Sequence, residues 1–119
     1  MLRAVDTTTG RVVAERLRPA RTHWRRLVGL LGTRALGEGE GLWLEPCRRV
    51  HTLGMRYAID VVVLDATLAV LRTVEALAPG RFSPPVAGAA SVLELPAGTV
   101  ARLGLVAGAR LAIASPGST

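Results

Sequence analysis

The chain has 119 residues, with fifteen basic against nine acidic side chains and a formal net charge of +6. Half of the residues are hydrophobic, which excludes an intrinsically disordered or low-complexity chain. One cysteine excludes a disulfide-stapled miniprotein, and no apolar run approaches the roughly 18 residues of a membrane span. We therefore expect a single domain over residues 1–119, with a frayed tail at 115–119.

All fifteen basic residues are arginine, and lysine, asparagine and glutamine are absent. This composition is typical of codon drift in a GC-rich genome, so the arginines alone do not indicate phosphate binding. The single Cys47 fits a reducing compartment, and the first residues show no apolar core of a secretory signal. These observations favour a cytoplasmic protein.

The first third of the chain predicts a hairpin followed by a helix. Short apolar alternations at 2–5 and 12–17 flank a turn segment, and Pro19 is expected to end the second strand. A helix is predicted over residues 22–31, because Trp24, Leu27, Val28 and Leu31 recur at the helical spacing. The glycine-rich residues 37–41 predict a loop.

The remainder of the sequence is typical of β-structure. Residues 57–65 form the strongest strand pattern, almost wholly apolar and therefore expected to be covered on both faces. Residues 78–89, with three prolines and two glycines, predict an irregular loop with a functional or covering role. Residues 97–104 predict one or two helical turns. Further strands are expected at 42–45, 48–53, 68–76, 91–96 and 109–115.

About seven short strands with one short α-helix, at about residues 22–31, predict a mainly β fold. The architecture expected is a single small barrel- or sandwich-like domain. No internal repeat and no linker divides it.

Asp60 is the residue most in need of explanation, because an ionised carboxylate within an apolar strand is costly unless it is paired. Arg56 or His51 would be a suitable partner. The leading hypothesis is a non-catalytic domain that binds a small polar ligand or a partner protein at this region. A structural ion pair that fixes the strand register, or an aspartate that reaches the rim of the sheet, is the commoner explanation of such a carboxylate. The candidate ligand-binding residues are His51, Thr52, Met55, Arg56 and Asp60.

The alternative is a hydrolase-type enzyme in which His51 is the general base and Asp60 orients it. A nucleophilic Cys47 is not favoured, because Cys47 and His51 on one strand would lie roughly 13 Å apart. No spacing typical of a metal site and no glycine-rich phosphate motif occurs, so neither a metal nor a cofactor is predicted.

A further alternative rests on residues 11–26, where six arginines accompany one acid, Glu15. Such a segment suits an anionic surface, although a solvated charged face is the commoner outcome. Nucleic-acid binding is not favoured, since aromatic residues are few and no RNA-recognition pattern occurs. The candidate contacts to an anionic surface are Arg16, Arg18, Arg21, Arg25 and Arg26.

Several stretches resemble the family of domains of unknown function numbered 192. They are WRRLVGLLGTRAL, GLWLEPCRRVHTLGMRYAIDVVVLD, VLELPAG and GLVAGARLAI, which together span about residues 22–114. The helix region matches at residues 26–33, with Leu30 where methionine is common. The central block matches at His51, Thr52, Gly54, Met55, Ile59, Asp60, Val61 and Asp65. The late block matches at Leu93, Glu94, Leu95, Ala97, Gly98 and Gly108.

The resemblance implies a small mainly β domain with a short helix, and it implies no particular activity. Ala109 stands where the family often has aspartate after Gly108, so a ligand role for that carboxylate is not carried over. Many relatives also carry an export or lipoprotein signal, which this sequence lacks. A periplasmic role is therefore not expected.

Overall fold

The computed structural model describes residues 1–20 and 36–116. In this part of the chain, seven strands form one sheet in the order β5-β4-β6-β3-β2-β1-β7. The strands are β1 (Leu2–Asp6), β2 (Val12–Ala20), β3 (Glu40–Leu44), β4 (Ile59–Leu64), β5 (Val70–Leu77), β6 (Ser91–Pro96) and β7 (Leu111–Ala114). A short helix, α1 (Thr99–Leu103), connects β6 to β7. The predicted mainly β fold is confirmed, whereas the helix predicted at 22–31 lies outside the described residues.

The sheet curls into a half-barrel, and its two edge strands approach each other at one end. The N–H of Val70 donates to the carbonyl of Ala109 at 2.7 Å, and the N–H of Gly108 donates to the carbonyl of Val70 at 2.8 Å. Neighbouring strands are antiparallel except β2 and β3, which run parallel. No helix within residues 1–20 and 36–116 is long and apolar enough to cross a membrane.

The two faces of the sheet bury two separate apolar clusters. Side chains alternate along β4, so Val62 and Leu64 pack in the first cluster while Val61 and Val63 pack in the second. All six residues of β4 are buried, which confirms the expectation that this strand is covered on both faces. The first cluster also contains apolar residues of β1, β2 and α1. The second contains Cys47, Val50 and Met55, which precede β4 in the chain.

Two of the predicted boundaries are wrong for identifiable reasons. Pro19 does not end β2, which continues to Ala20 and pairs Pro19 with Trp43. The N–H of Arg16 points toward the β3 side, where it donates to the carbonyl of Gly39, so alternation turns the nitrogen of Pro19 away from β3. The nitrogen of Pro19 therefore faces the side of β2 where β1 pairs, but that pairing already ends at Leu17. The N–H that proline lacks is thus not needed for a hydrogen bond between strands.

Gly41 is the second exception, because it lies inside β3 and not in a loop. A Cβ at this position would lie 3.0 Å from Cδ2 of Leu95 and 3.2 Å from Cδ1 of Leu17. The absence of a side chain at Gly41 therefore leaves room for leucine side chains of β2 and β6 to pack against the backbone of β3. The strand expected at 48–53 is reduced to an isolated antiparallel bridge between His51 and Phe82.

Candidate functional site

Asp60 is fully buried in β4, and its carboxylate accepts hydrogen bonds from backbone amides of two other elements. Oδ1 accepts the N–H of Ala76 in β5 at 2.8 Å. Oδ2 accepts the N–H of Gly98 at 3.1 Å and that of Val100 at 2.8 Å. One side chain thus joins β4, the end of β5 and the first turn of α1.

These bonds replace the side-chain partner that the sequence suggested for Asp60. Arg56 is exposed, and within residues 1–20 and 36–116 no ion pair joins it to Asp60. Asp60 also faces the opposite side of β4 from Ile59 and Val61, which pack in the cluster that contains Met55. Asp60 is therefore engaged by the backbone of the scaffold through both of its oxygens.

The segment around His51 alternates between buried and outward-facing side chains. Val50 and Thr52 are buried, whereas Arg49 and Leu53 are exposed and His51 is half-buried. This period of two is that of an extended strand with one covered face. The segment therefore presents every second side chain to solvent although it belongs to no named strand.

The buried side chains of this segment fix it to the 78–89 loop. The Thr52 hydroxyl donates to the carbonyl of Ala78 at 2.6 Å and accepts the N–H of Arg81 at 2.9 Å. The hydroxyl of the buried Ser83 accepts the N–H of Val50 at 2.9 Å, and the N–H of Ser83 donates to the Val50 carbonyl at 2.8 Å. Two hydroxyls and the backbone together hold the loop against the strand-like segment.

The outward side chains meet around the ring of Phe82. The guanidinium carbon of Arg49 lies 5.2 Å from the ring centroid, and the His51 ring lies 5.8 Å away at an interplanar angle of 55°. Nε of Arg49 donates to the Ser83 carbonyl at 2.7 Å, and Nδ1 of His51 accepts the N–H of Leu53 at 3.3 Å. Phe82 is 55% exposed and Leu53 is 44% exposed, although both are large and apolar.

We call the outward-facing residues of these two segments the basic–aromatic surface. They are Arg49, His51, Leu53, Arg81 and Phe82. The segments that carry them, residues 47–57 and 78–86, contain four arginines and no aspartate or glutamate. Within the part of the chain that the structure describes, the ion pair found is that of Arg3 with Glu15, so no carboxylate neutralises these arginines. The surface is positively charged as well as partly apolar.

The residues that the sequence grouped as a candidate site differ in exposure and in the element that carries them. His51 belongs to the basic–aromatic surface, Arg56 is exposed nearby in the chain, and Thr52 and Met55 point into the protein. Asp60 is buried in β4 and bonded to backbone N–H groups of β5 and α1. The surface also includes Arg49, Leu53, Arg81 and Phe82, which the sequence pattern did not single out. The available signal was the alternation over 49–53 combined with an aromatic residue inside a long proline-rich loop.

The second candidate surface is described only in part. Arg16 and Arg18 are exposed on β2, and Nη2 of Arg16 donates to the Glu38 carbonyl at 2.9 Å. Arg21, Arg25 and Arg26 lie outside the described residues. Contact of this segment with an anionic surface remains a prediction.

The residues 1–20 and 36–116 contain no group of three His, Cys, Asp or Glu side chains placed to hold a metal ion. A different carboxylate, Asp65, lies in the turn after β4. Its pKa is lowered from the ordinary value, mainly by the hydrogen bond from the Thr67 hydroxyl and next by that from the Ala69 N–H. The distances to Oδ1 are 2.7 Å and 3.0 Å. This carboxylate organises a turn and is not part of the basic–aromatic surface.

Two solved structures share this fold over most of their length. A protein of unknown function from Novosphingobium aromaticivorans DSM 12444 is 23% identical, with a TM-score of 0.75, and the alignment covers 93% of this chain and 82% of that one. A protein from Sinorhizobium meliloti 1021, named as a "putative transcription regulator", is 25% identical with a TM-score of 0.72. That alignment covers 93% of this chain and 90% of the other. A comparison with curated proteins finds no match.

The model of the family DUF192, described as Uncharacterized ACR, COG1430, matches residues 4–113. This match includes β2 and the last three residues of β1, which the resemblance in the sequence did not cover. Because it spans nearly the whole chain, the protein belongs to the DUF192 family.

Proposed function

We propose that this protein is a non-catalytic domain that binds an anionic partner molecule through the basic–aromatic surface. The observation that carries the proposal is the Arg49 guanidinium placed over the exposed Phe82 ring, next to His51. Phe82 is 55% exposed and carries the Arg49 guanidinium over its ring, so the surface presents an apolar face and a cation side by side.

Arg49 is held in place before any ligand arrives. Its Nε bond to Ser83 and its contact with Phe82 restrict a side chain that would otherwise lose much rotamer freedom on binding. Preorganisation of this kind lowers the entropic cost of association. A guanidinium also recognises carboxylate or phosphate through several donors at once.

Binding is favoured over hydrolysis because of the position of Asp60. Both of its oxygens accept backbone N–H groups, so we infer that this carboxylate holds the scaffold together and does not act as the partner of a general base. No specific observation supports a reacting pair elsewhere on the basic–aromatic surface.

The test uses long-chain inorganic polyphosphate, a flexible polyanion without rings or bases. Titration of the ¹⁵N-labelled protein at low ionic strength is expected to shift the amide resonances of residues 49–53 and 80–83. Affinity should fall steeply with added salt, because bound counterions are released when phosphates are neutralised. Absence of binding at low salt, or shifts confined to other regions, would overturn the proposal.

Paired arginine variants make this test specific. Replacement of Arg49 and Arg81 by Gln is expected to weaken polyphosphate binding at least about tenfold, given two lost charge-assisted contacts. Arg72 and Arg102 are also exposed but lie on β5 and α1. The same two-charge change at these positions should alter affinity much less, and equal losses in both double variants would contradict a defined surface.

A further inference from the structure

We propose that the anionic partner is a single strand of nucleic acid, with a base stacked at Phe82 and Arg49 and its phosphates on the neighbouring arginines. This proposal rests on the function proposed above. It adds the chemical class of the ligand, and the experiment below separates the failure of one from the failure of the other.

Phe82 and its two neighbours offer flat surfaces on which a base could stack. Phe82 belongs to neither of the two apolar clusters, and its ring contacts the planar groups of Arg49 and His51 at 5.2 Å and 5.8 Å. Bases in single strands stack on phenylalanine, histidine and arginine guanidinium planes. A local cluster of three planar side chains on a charged surface therefore suits an unpaired base.

The charges of the two segments also favour a nucleic-acid strand. Arg49 and Arg81 of the basic–aromatic surface are exposed, and the 20 residues of the segments 47–57 and 78–86 include four arginines and no acid. A strand with one phosphate per nucleotide supplies a counter-charge at each step while it keeps its bases unpaired for stacking.

A single strand suits this surface better than the two other polyanionic partners. Base faces in a duplex are covered by neighbouring base pairs, so a stacking contact with Phe82 would require extrusion of a base. An acidic protein offers carboxylates, which pair with guanidinium groups but have no ring face to stack on Phe82. Here the Arg49 guanidinium lies over an exposed aromatic ring, so that a charge contact and a stacking contact are offered together.

The experiment measures the affinity of the protein for four probes by fluorescence anisotropy at low salt, directly or by competition. The probes are oligo(dT), oligo(rU), a duplex of equal length and poly-glutamate, and the affinity for each is compared with that for polyphosphate. We expect both single strands to bind more tightly than polyphosphate per charge. Phe82→Ala should weaken single-strand binding about five- to hundredfold, and the loss should be clearly larger than for polyphosphate, which has no base to stack on the ring.

Conservative replacements at Phe82 separate stacking from burial. Phe82→Tyr retains an aromatic face and should bind the single strands nearly as well as the native chain. Phe82→Leu retains an apolar side chain but removes the ring, and it should behave like Phe82→Ala. Because the ring is 55% exposed, all three variants are expected to fold, which circular dichroism checks.

The outcomes have separate meanings. Polyphosphate binding at the surface with equal, Phe82-independent oligonucleotide binding would overturn this inference and leave the proposed function standing. Tighter duplex or poly-glutamate binding would also overturn it, in favour of double-stranded nucleic acid or an acidic protein. No binding of any probe would overturn both proposals. Tight single-strand binding lost in Phe82→Ala and retained in Phe82→Tyr would support both.

Discussion

Asp60 and the basic–aromatic surface show two opposite ways in which this domain treats charge. Asp60 is wholly buried, and its carboxylate accepts three backbone N–H groups. Arg49 is exposed and lies against an aromatic ring, with no carboxylate within 4 Å in the described residues. A charge that the fold already satisfies indicates a structural role, whereas charges held in place but left without counter-charge indicate recognition.

The two regions are nevertheless connected through the end of β5. Asp60 holds the N–H of Ala76, and the carbonyl of Ala78 two residues later accepts the Thr52 hydroxyl. The loop that carries Phe82 therefore starts from a point fixed by both side chains. The different roles of Asp60 and the basic–aromatic surface can therefore be tested by substitutions that begin at Asp60 and end at Phe82.

The largest effect is expected for Asp60→Ala. The change leaves the N–H groups of Ala76, Gly98 and Val100 without their acceptor in a buried setting. We expect a loss of about 3–5 kcal/mol in the free energy of unfolding, measured by urea denaturation. Glu75→Ala on the exposed side of β5 is the matched control and should change stability by less than about 0.5 kcal/mol. Similar values for both variants would show that Asp60 is not an anchor.

An intermediate effect is expected for Thr52→Val, which preserves shape but removes the hydroxyl between the two segments. The Ala78 carbonyl and the Arg81 N–H lose a partner, so stability should fall by about 1–3 kcal/mol. Amide hydrogen exchange at Arg81 should accelerate beyond the change in global stability. The control is Thr73→Val, since no side-chain hydrogen bond of Thr73 occurs in residues 1–20 and 36–116. Unchanged exchange at Arg81 would argue against this tie.

A smaller effect concerns Asp65, a carboxylate that accepts similar hydrogen bonds at an exposed turn. Its pKa is lowered in the folded protein, chiefly by the Thr67 hydroxyl, so the ionised form stabilises folding above the unfolded-state pKa. This contribution is lost as the pH falls through the folded-state pKa. An NMR titration of the Asp65 carboxyl carbon should show the lowered pKa, and Thr67→Ala should raise it toward the ordinary value. A titration unaffected by Thr67→Ala would contradict the assigned cause.

The smallest effect on stability is expected for Phe82→Ala. Among variants of the basic–aromatic surface, however, this change should weaken single-strand binding the most. The ring belongs to neither apolar cluster, so unfolding should change by less than about 0.5 kcal/mol in urea. A loss above about 2 kcal/mol would mean that the ring has a packing role, and the contrast with Asp60 would disappear.

The sequence was most informative where local pattern decides structure. The branched apolar run of β4 and the bounds of β6 follow from residue type alone, because both strands are buried on both faces. The predicted strand boundaries at Pro19 and Gly41 were wrong. Whether a strand accepts a proline or a glycine depends on which strand lies beside that residue in the sheet. Those neighbours come from distant parts of the chain.

The candidate site was harder to predict for the same reason. Asp60 is visible as a buried carboxylate, but its donors are backbone amides at Ala76, Gly98 and Val100, and backbone amides carry no sequence signature. The approach of Phe82 to Arg49 also depends on a pairing between distant segments. The sequence pattern pointed to the segment that contains His51, but it could not identify which residues would lie across from that segment in the fold.

The pairing of β1 with β7 has a consequence for how the chain acquires its structure during synthesis. Arg3 lies opposite Ala114 and Asp6 opposite Leu111, so one edge of β1 stays uncovered until nearly the whole domain has left the ribosome. Contacts of such long range slow folding, and an uncovered strand edge can pair with other chains in the meantime. Nascent chains that stop before Leu111 should therefore be prone to aggregation, whereas release of β7 completes the sheet.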